Sequence, residues 1–421
     1  VSGADTPTGG NVALASGADT PEGGTDPAGR VGLFTCAGYD PAALDEVILK
    51  AADYAGFPEV RGKRILVKPN LLKAASADTA VTTHPEFVAA VLRFLKARGA
   101  SRVMVGDSPG FQSGLSAGKA AGIYDAVIEN GAEWVDFLPG KPRTAPEARL
   151  IKNFTLASVL DECDLVVNLP KLKTHRLMNY TGAMKNLFGL IPGLGKSRMH
   201  LHFADKAKFG TMLVDLALSV PNCFSFMDGI VAMEGEGPGA GDPFPLGLVL
   251  ASGDMAALDW TAARCIGYDP SRIPYLIDAI GRSGRDPAAP QIEVGPRAVA
   301  DVAAKNFRLL PYGGSATPDV IKMPAFLWKA LMRIVSNRPI FLPEKCTGCK
   351  ACVKICPAKA LELGKNAKGQ HQIRIDDGAC ITCFCCHEVC PSHAIAVGRV
   401  LARKPGEKKP AEKKPTEKMP R

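Results

Sequence analysis

The sequence predicts an α/β domain built on a mostly parallel sheet, followed by a small α+β domain rich in cysteine. Three observations carry this. From Leu33 to about residue 320, short β-branched runs alternate with amphipathic stretches, the pattern of strands joined by crossover helices. Of the thirteen cysteines, nine fall between Cys346 and Cys390. With 46% hydrophobic residues in 421, the chain can bury a large core, enough for two or three units of roughly 150 residues.

Residues 1–30 repeat a short phrase, Ser2-Gly-Ala-Asp-Thr-Pro and Ser16-Gly-Ala-Asp-Thr-Pro, with too few large apolar groups to offset the entropy of ordering, and a disordered leader is expected. It has no apolar core of an export signal, so a cytosolic protein is expected. The α/β domain is expected over 31–322. Arg64–Lys68 reads as a strand. Thr83-His84-Pro85-Glu86 then caps a helix whose Phe87, Val88, Val91, Leu92 and Leu95 share a face, and Gly99 stops it. Strands follow at Arg102–Gly106, Leu165–Val167, Phe224–Met227 and Leu248–Leu250, and a doubly wound sheet is the simplest assembly.

Residues 323–339 read as a linking amphipathic helix with Phe326, Leu327, Leu331 and Ile334 on one face, docked between the domains rather than on a membrane surface, for which two or three Lys/Arg are too few, or offered to a partner. The cysteine-rich domain is expected over 340–400. Residues 401–421 alternate Lys, Glu and Pro and are expected to be a solvated tail. This tail holds eight Lys/Arg against three Glu, so it supplies +5 of the formal +9. The folded part is only mildly basic, which argues against nucleic acid as a partner. No apolar run reaches the roughly 18 residues of a membrane span.

Cys346-x2-Cys349-x2-Cys352-x3-Cys356-Pro357 recurs 34 residues later as Cys380-x2-Cys383-x2-Cys386-x3-Cys390-Pro391. Three thiolates on one tight loop hold three corners of an Fe4S4 cube, and the fourth cysteine reaches the other cube. The ligand sets therefore cross. Cys346, Cys349, Cys352 and Cys390 would hold one [4Fe-4S] cluster, and Cys380, Cys383, Cys386 and Cys356 the second. Zinc is the rival, but four-coordinate sites do not call for two identical runs each closed by proline. Cys385 is expected to be a packed thiol, and His387 and His393 are not counted as ligands. Residues 340–398 resemble the bacterial two-cluster ferredoxins, down to Ala360-Leu361 and Ala394-Ile395 after each Cys-Pro turn. That resemblance implies transfer of single electrons.

In an open parallel sheet, ligands bind beyond the carboxyl ends of the strands. Those ends read Lys68-Pro69-Asn70, Gly106-Asp107-Ser108, Asn168 to His175, and Asp228-Gly229. Lys171, His175, Asp107 and Asp228 are the candidate catalytic residues. Lys68, Asn70, Lys173, Lys185 and Asn186 are the candidate substrate contacts. With Lys196, His200 and His202 they would make a pocket for a carboxylate, phosphate or CoA-like anion. A further metal held by His175, His200, His202 and Asp205 is an open alternative. Gly189 to Ser197 resembles a phosphate-binding loop, but five residues separate Gly189 from Gly195 and no strand precedes it. The glycines at 235–241 read as a lid or wall, with Glu234 and Glu236 as candidate acids.

Lys68-Pro69-Asn70, Thr83-His84-Pro85, Gly106 to Pro109, Leu169 to His175, Thr181 to Asn186, Met227-Asp228-Gly229 and Met233 to Pro238 resemble the family called domain of unknown function 362, over about residues 31–285. Its members often carry a C-terminal ferredoxin module, and Ile381 to Cys386 matches their usual second loop. The resemblance implies the domain layout and no established reaction. Two functions remain: an oxidoreductase whose clusters feed a substrate at the strand ends, or an electron carrier or maturation subunit whose α/β domain binds a redox partner protein. Purely structural clusters are a third reading, against which the spacing argues, since it suits transfer between two centres.

Overall fold

The computed structural model describes residues 29–110, 112–220, 222–312 and 337–398. The expected leader up to residue 28, the linking helix up to residue 336 and the tail at 401–421 lie outside the described residues.

The large domain is a ten-stranded mixed sheet. Its path runs β12 (Glu293–Pro296), β1 (Arg30–Thr35), β11 (Asp242–Ser252), β10 (Cys223–Glu234), β7 (Leu165–Leu169), β2 (Arg64–Pro69), β3 (Arg102–Val105) and β4 (Glu133–Trp134). From β10 through β4 every pairing is parallel. β11 is antiparallel to both neighbours, and β12 is parallel to β1. β8 (Lys171–His175) and β9 (Asn179–Thr181) extend off β10, while β5 (Gly140–Thr144) and β6 (Asn153–Ala157) form a separate hairpin. The chain moves outward from β2 to β3 and β4, then returns to the other side of β2 with β7 and β10. Its direction thus reverses between β2 and β7, the place where open sheets of this kind bind ligands.

Alternation along the strands divides the core in two. Ile65, Val67, Val105, Val167 and Phe226 pack with Leu44, Ile48, Phe87 and Val91 of the helices Pro41–Tyr54 and Pro85–Ala97. Leu66, Met104, Val166 and Leu250 pack on the opposite face with Leu213, Leu258 and Ile280. Burial on both faces explains the near-continuous apolar runs of these strands. Pro85 stands at the start of its helix, and His84 Nδ1 accepts the Glu86 N–H at 3.2 Å as the cap. Thr83 does something else: its hydroxyl donates to Leu169 O at 2.7 Å and accepts the Asn70 N–H at 2.8 Å. That ties the ends of β2 and β7 together at the reversal.

The small domain pairs β13 (Arg338–Phe341) with β16 (Ile395–Gly398), and β14 (Leu361–Lys365) with β15 (His371–Ile375). Two short helices, Ala351–Ile355 and Cys385–Val389, repeat at the 34-residue offset of the cysteines. Left-handed backbone recurs at the same offset: Gly348 and Thr382, Lys350 and Phe384 (φ 61° and 62°), Lys359 and His393 (φ 51° and 50°). Non-glycine residues enter this region at a cost, so the repetition shows one loop geometry imposed twice. The core here is little more than Leu361, Ile373, Ala394 and Ile395 around three cysteines. Units this small need staples, and none of the cysteines is in a disulfide. Among the described residues, no helix is long and apolar enough to cross a membrane.

Candidate functional site

A cavity of about 90 Å³ sits at the carboxyl ends of the parallel strands. Asn70 reaches it from the end of β2, Asp107 and Ser108 from the end of β3, and Lys173 and His175 from β8. Lys185 and Asn186 come from the turn of helix Ala183–Asn186, and Lys196 and His200 from helix Gly195–His202. The far wall belongs to the small domain: Ile355, Cys385, Glu388 and Val389.

Burial governs the chemistry of this wall. Lys68, fully buried behind it, pairs with Asp107 at 2.8 Å, while Asp107 also accepts the N–H groups of Leu71 and Ser108, each at 2.8 Å. Gly189 packs on this pair so closely that a Cβ would strike both side chains, which gives the phosphate-loop lookalike a packing role. His175 Nδ1 accepts the N–H groups of Leu177 and Met178 at 3.1 and 3.2 Å, so its proton sits on Nε2. Burial holds this ring neutral, its pKa well below the ordinary histidine value. Nε2 lies 3.4 Å from Glu388 Oε1, yet neither atom has a hydrogen-bond partner among the described residues. Asn70 Oδ1 and His200 Nδ1 are unpartnered too. Four buried orphan atoms in one cavity mark a place shaped for a polar ligand.

Lys173 Nζ donates to Val81 O at 2.8 Å and has no carboxylate partner among the described residues, and burial, with Lys185 close by, drives its pKa well down. Lys185 has no hydrogen-bond or ion-pair partner among the described residues, only the Phe188 ring 5.7 Å from its ammonium. Burial lowers its pKa as well. Lys196 donates to Ile191 O at 2.7 Å and Ser108 Oγ at 3.2 Å and is brought down to about 7 by burial. His200, stacked on Phe209 with ring centroids 4.4 Å apart, falls to about 3 for the same reason.

Lys171 and Asp228 lie elsewhere. Lys171 Nζ donates to Asp228 Oδ2 at 2.8 Å and to the Tyr39 hydroxyl at 2.9 Å. Tyr39 in turn donates to Asp228 Oδ1 at 2.9 Å and stacks on His84 at 3.6 Å, and the His84 N–H donates to Asp228 Oδ2 at 3.0 Å. Neither residue lines the cavity. Lys171 and Lys173 point to different places because β8 pairs irregularly with β10, Lys171 opposite Asp228 but Lys173 opposite Met233. His202 and Asp205 are exposed, and Asp205 caps the next helix through the Lys208 N–H, so these two do not join His175 and His200 around a metal. Glu234 is held by Arg308 at 2.6 Å and Glu236 by Arg176.

One residue with no motif around it sets the position of Lys185 and Asn186. Asp259, fully buried, accepts the N–H groups of Ala183 at 2.6 Å and Met184 at 3.1 Å and the Tyr180 hydroxyl at 3.2 Å. Burial raises its carboxyl from 3.8 to about 7. A raised carboxyl contributes stability that is full below about pH 4 and lost as pH rises to about 7, since the folded chain then binds the proton that the unfolded chain has released. At about 1.4 kcal/mol per pH unit the loss reaches about 4 kcal/mol. Urea denaturation from pH 4.5 to 7.5 should show Asp259→Asn gaining on the parent protein as pH rises.

The eight cysteines fall into two cavities. Cys346, Cys349, Cys352 and Cys390 line one, and Cys356, Cys380, Cys383 and Cys386 line the other. In each, the fourth cysteine accepts a backbone N–H at 3.3 Å, Ala360 to Cys356 Sγ and Ala394 to Cys390 Sγ. Four sulfurs around a cavity, without disulfides, fit a cubic iron–sulfur group. Cys385 lines both the second cysteine cavity and the strand-end pocket. The domains meet here. Lys73 Nζ donates to Gly239 O at 2.8 Å and Cys390 O at 3.2 Å, His387 Nε2 lies 3.3 Å from Glu236 O, and a Cβ on Gly239 would come within 2.7 Å of Glu388 O. The 235–241 glycines are thus the wall between sheet and small domain.

A doubly covered α/β sheet with a cysteine-loop module closing its strand-end pocket defines a two-part protein with a 4Fe-4S binding domain. The chain belongs to the family described as "Domain of unknown function (DUF362)", matched over residues 65–264, and residues 345–394 match a "4Fe-4S dicluster domain". It is 35% identical over 249 residues to the "Thylakoid-associated protein sll1697" of Synechocystis sp., covering 59% of this chain and 76% of that one. A solved protein of Thermotoga maritima is 15% identical with a TM-score of 0.32, covering 50% of this chain and 55% of that one. The lactate racemase apoprotein of Thermoanaerobacterium thermosaccharolyticum is 11% identical with a TM-score of 0.35, covering 54% of each. The chain thus spans about half the length of these solved structures. An iron–sulfur domain of this kind points to a redox or electron-transfer role.

Proposed function

We propose that the chain is an iron–sulfur oxidoreductase that delivers single electrons, from two [4Fe-4S] clusters held by the crossed cysteine sets, to a small anionic substrate in the strand-end pocket. The observation that carries this reading is the position of Cys385, lining both the second cysteine cavity and the pocket. When bound, clusters of this type supply one electron each, at potentials set by charge, hydrogen bonding and exposure.

The chain's own residues do the remainder. Lys185 and Lys173 provide the amino groups for the anion, whose negative charge would favour their protonated forms against the burial that disfavours them. His175 presents Nε2–H to the ligand as a hydrogen-bond donor, while the oxygens of Asp107 and Asp228 are already engaged. At about 90 Å³ the cavity suits a group of carboxylate or phosphate size, well under the roughly 300 Å³ at which drug-sized ligands begin. A CoA-like molecule would place only an anionic end there. Cys349 is exposed, which supports electron entry at the first cysteine set from a redox partner protein. The same exposure favours a second reading, a carrier or maturation subunit that hands electrons on. Cysteines without disulfides fit a reducing compartment, and we read the location as cytoplasmic.

The test is reoxidation of the dithionite-reduced protein. Acetate, phosphate and acyl-CoA compounds are added in turn, and at least one should speed reoxidation. Lys185→Gln should lose most of that acceleration, about tenfold or more. A rate indifferent to every compound would remove the oxidoreductase reading.

A further inference from the structure

We propose that anion binding in the strand-end pocket and reduction of the centre held by Cys356, Cys380, Cys383 and Cys386 oppose one another, so that the bound anion makes this centre a stronger reductant. The proposal deepens the function above and rests on it, since it takes the cysteine set to hold a cluster and the pocket to take an anion.

Three observations carry it. First, the two cavities share Cys385 in their linings, so charge in one acts on charge in the other across a single residue. Second, the positive charge facing this wall is poorly countered. Lys185 has no hydrogen-bond or ion-pair partner among the described residues, Lys173 has only a carbonyl, and His175 is a neutral ring. Of the two carboxylates in the lining, Asp107 is taken by Lys68, and Glu388 remains as the one acidic group facing the cations. Third, the surroundings are buried: Lys173, His175, Cys385 and Glu388 are each less than a tenth exposed. Water and salt therefore screen little, and charges interact far more strongly than at a surface.

The sign follows from Coulomb's law. An electron added at the cysteine set raises the negative charge beside the pocket and repels an anion bound there. The reduced protein then binds the anion more weakly than the oxidised one. Linkage is reciprocal, so the anion lowers the midpoint potential by the same free energy. A tenfold difference in affinity corresponds to 59 mV for one electron. Reduced protein with an empty pocket thus holds its electron more firmly, and arrival of the acceptor raises the driving force for giving it up.

The experiment is a redox titration of the iron-loaded full chain, monitored by electron paramagnetic resonance, without anion and then with saturating inorganic phosphate or acetate. Calorimetry on the oxidised protein measures binding separately. One of the two signals should move to lower potential by about 59 mV or more, a tenfold or greater preference of the anion for oxidised protein. The other signal should move less. Lys185→Gln should lower the potential of the sensitive signal before any anion is added and leave little further shift. Lys185→Arg should behave as the parent protein, and Lys208→Gln, on the exposed face of another helix, should change nothing. Binding to the oxidised protein with no change of potential overturns the linkage and leaves the pocket standing. No binding of either anion overturns the linkage and the anion site together.

Discussion

On the proposed crossed arrangement, Cys356→Ala should remove the iron held mainly by the second cysteine loop, and Cys390→Ala the iron held mainly by the first. Each change should cost about half of the bound iron, because each takes one of four thiolates from a single cavity. The cavity linings give the pairing: Cys356 stands with Cys380, Cys383 and Cys386, and Cys390 with Cys346, Cys349 and Cys352. Companion variants make the test decisive. Cys356→Ala and Cys383→Ala should leave the same paramagnetic signal, and Cys390→Ala and Cys349→Ala the other. If Cys356→Ala matched Cys349→Ala instead, each loop would hold its own cluster and the crossed arrangement would be wrong.

Lys171→Met should destabilise the protein by about 3–5 kcal/mol, the usual cost of stripping one partner from a buried ion pair. Lys171 and Asp228 are both essentially without solvent contact, so the carboxylate left behind would keep the Tyr39, His84 and Ile230 donors but lose its counter-charge. The milder Tyr39→Phe removes one hydroxyl from the same network and should cost about 1–3 kcal/mol. Urea denaturation measures both. Ligand-dependent reoxidation per folded molecule should survive in Tyr39→Phe. Its loss there, with stability little changed, would return this network to the reaction.

The cysteine module was legible because its chemistry is local: eight thiols at fixed spacing within 45 residues declare themselves without tertiary information. The parallel sheet was legible for a similar reason, since strands buried on both faces print as apolar runs at Ile65–Val67 and Leu165–Val167. The strand ends were legible only as a set. Asn70, Asp107, Lys173, His175, Lys185 and Asn186 do converge, but separating Lys173 from Lys171 depends on the irregular pairing of β8 with β10, which no periodicity reveals. Asp259 and Glu388 were out of reach for another reason. Each meets its partners across more than seventy residues of chain, Asp259 at Ala183 and Glu388 at His175. A lone acid in an apolar helix, or one among cysteines, carries no sign of such a contact. Cys385 is buried, and its place on the pocket as well as on the second cysteine cavity depends on how the domains meet.

The seam between the domains has a kinetic consequence. Lys73 grips the Cys390 carbonyl, Glu236 O meets His387, and Gly239 leaves less than a methyl group of room against Glu388. The second cysteine cavity therefore does not have to find the pocket of its own chain by diffusion. Whatever passes between the second cysteine cavity and the pocket passes inside one molecule, as a first-order event whose rate per chain is unaffected by dilution. Only delivery to the exposed Cys349 side would remain second-order, and so sensitive to the concentration of a donor.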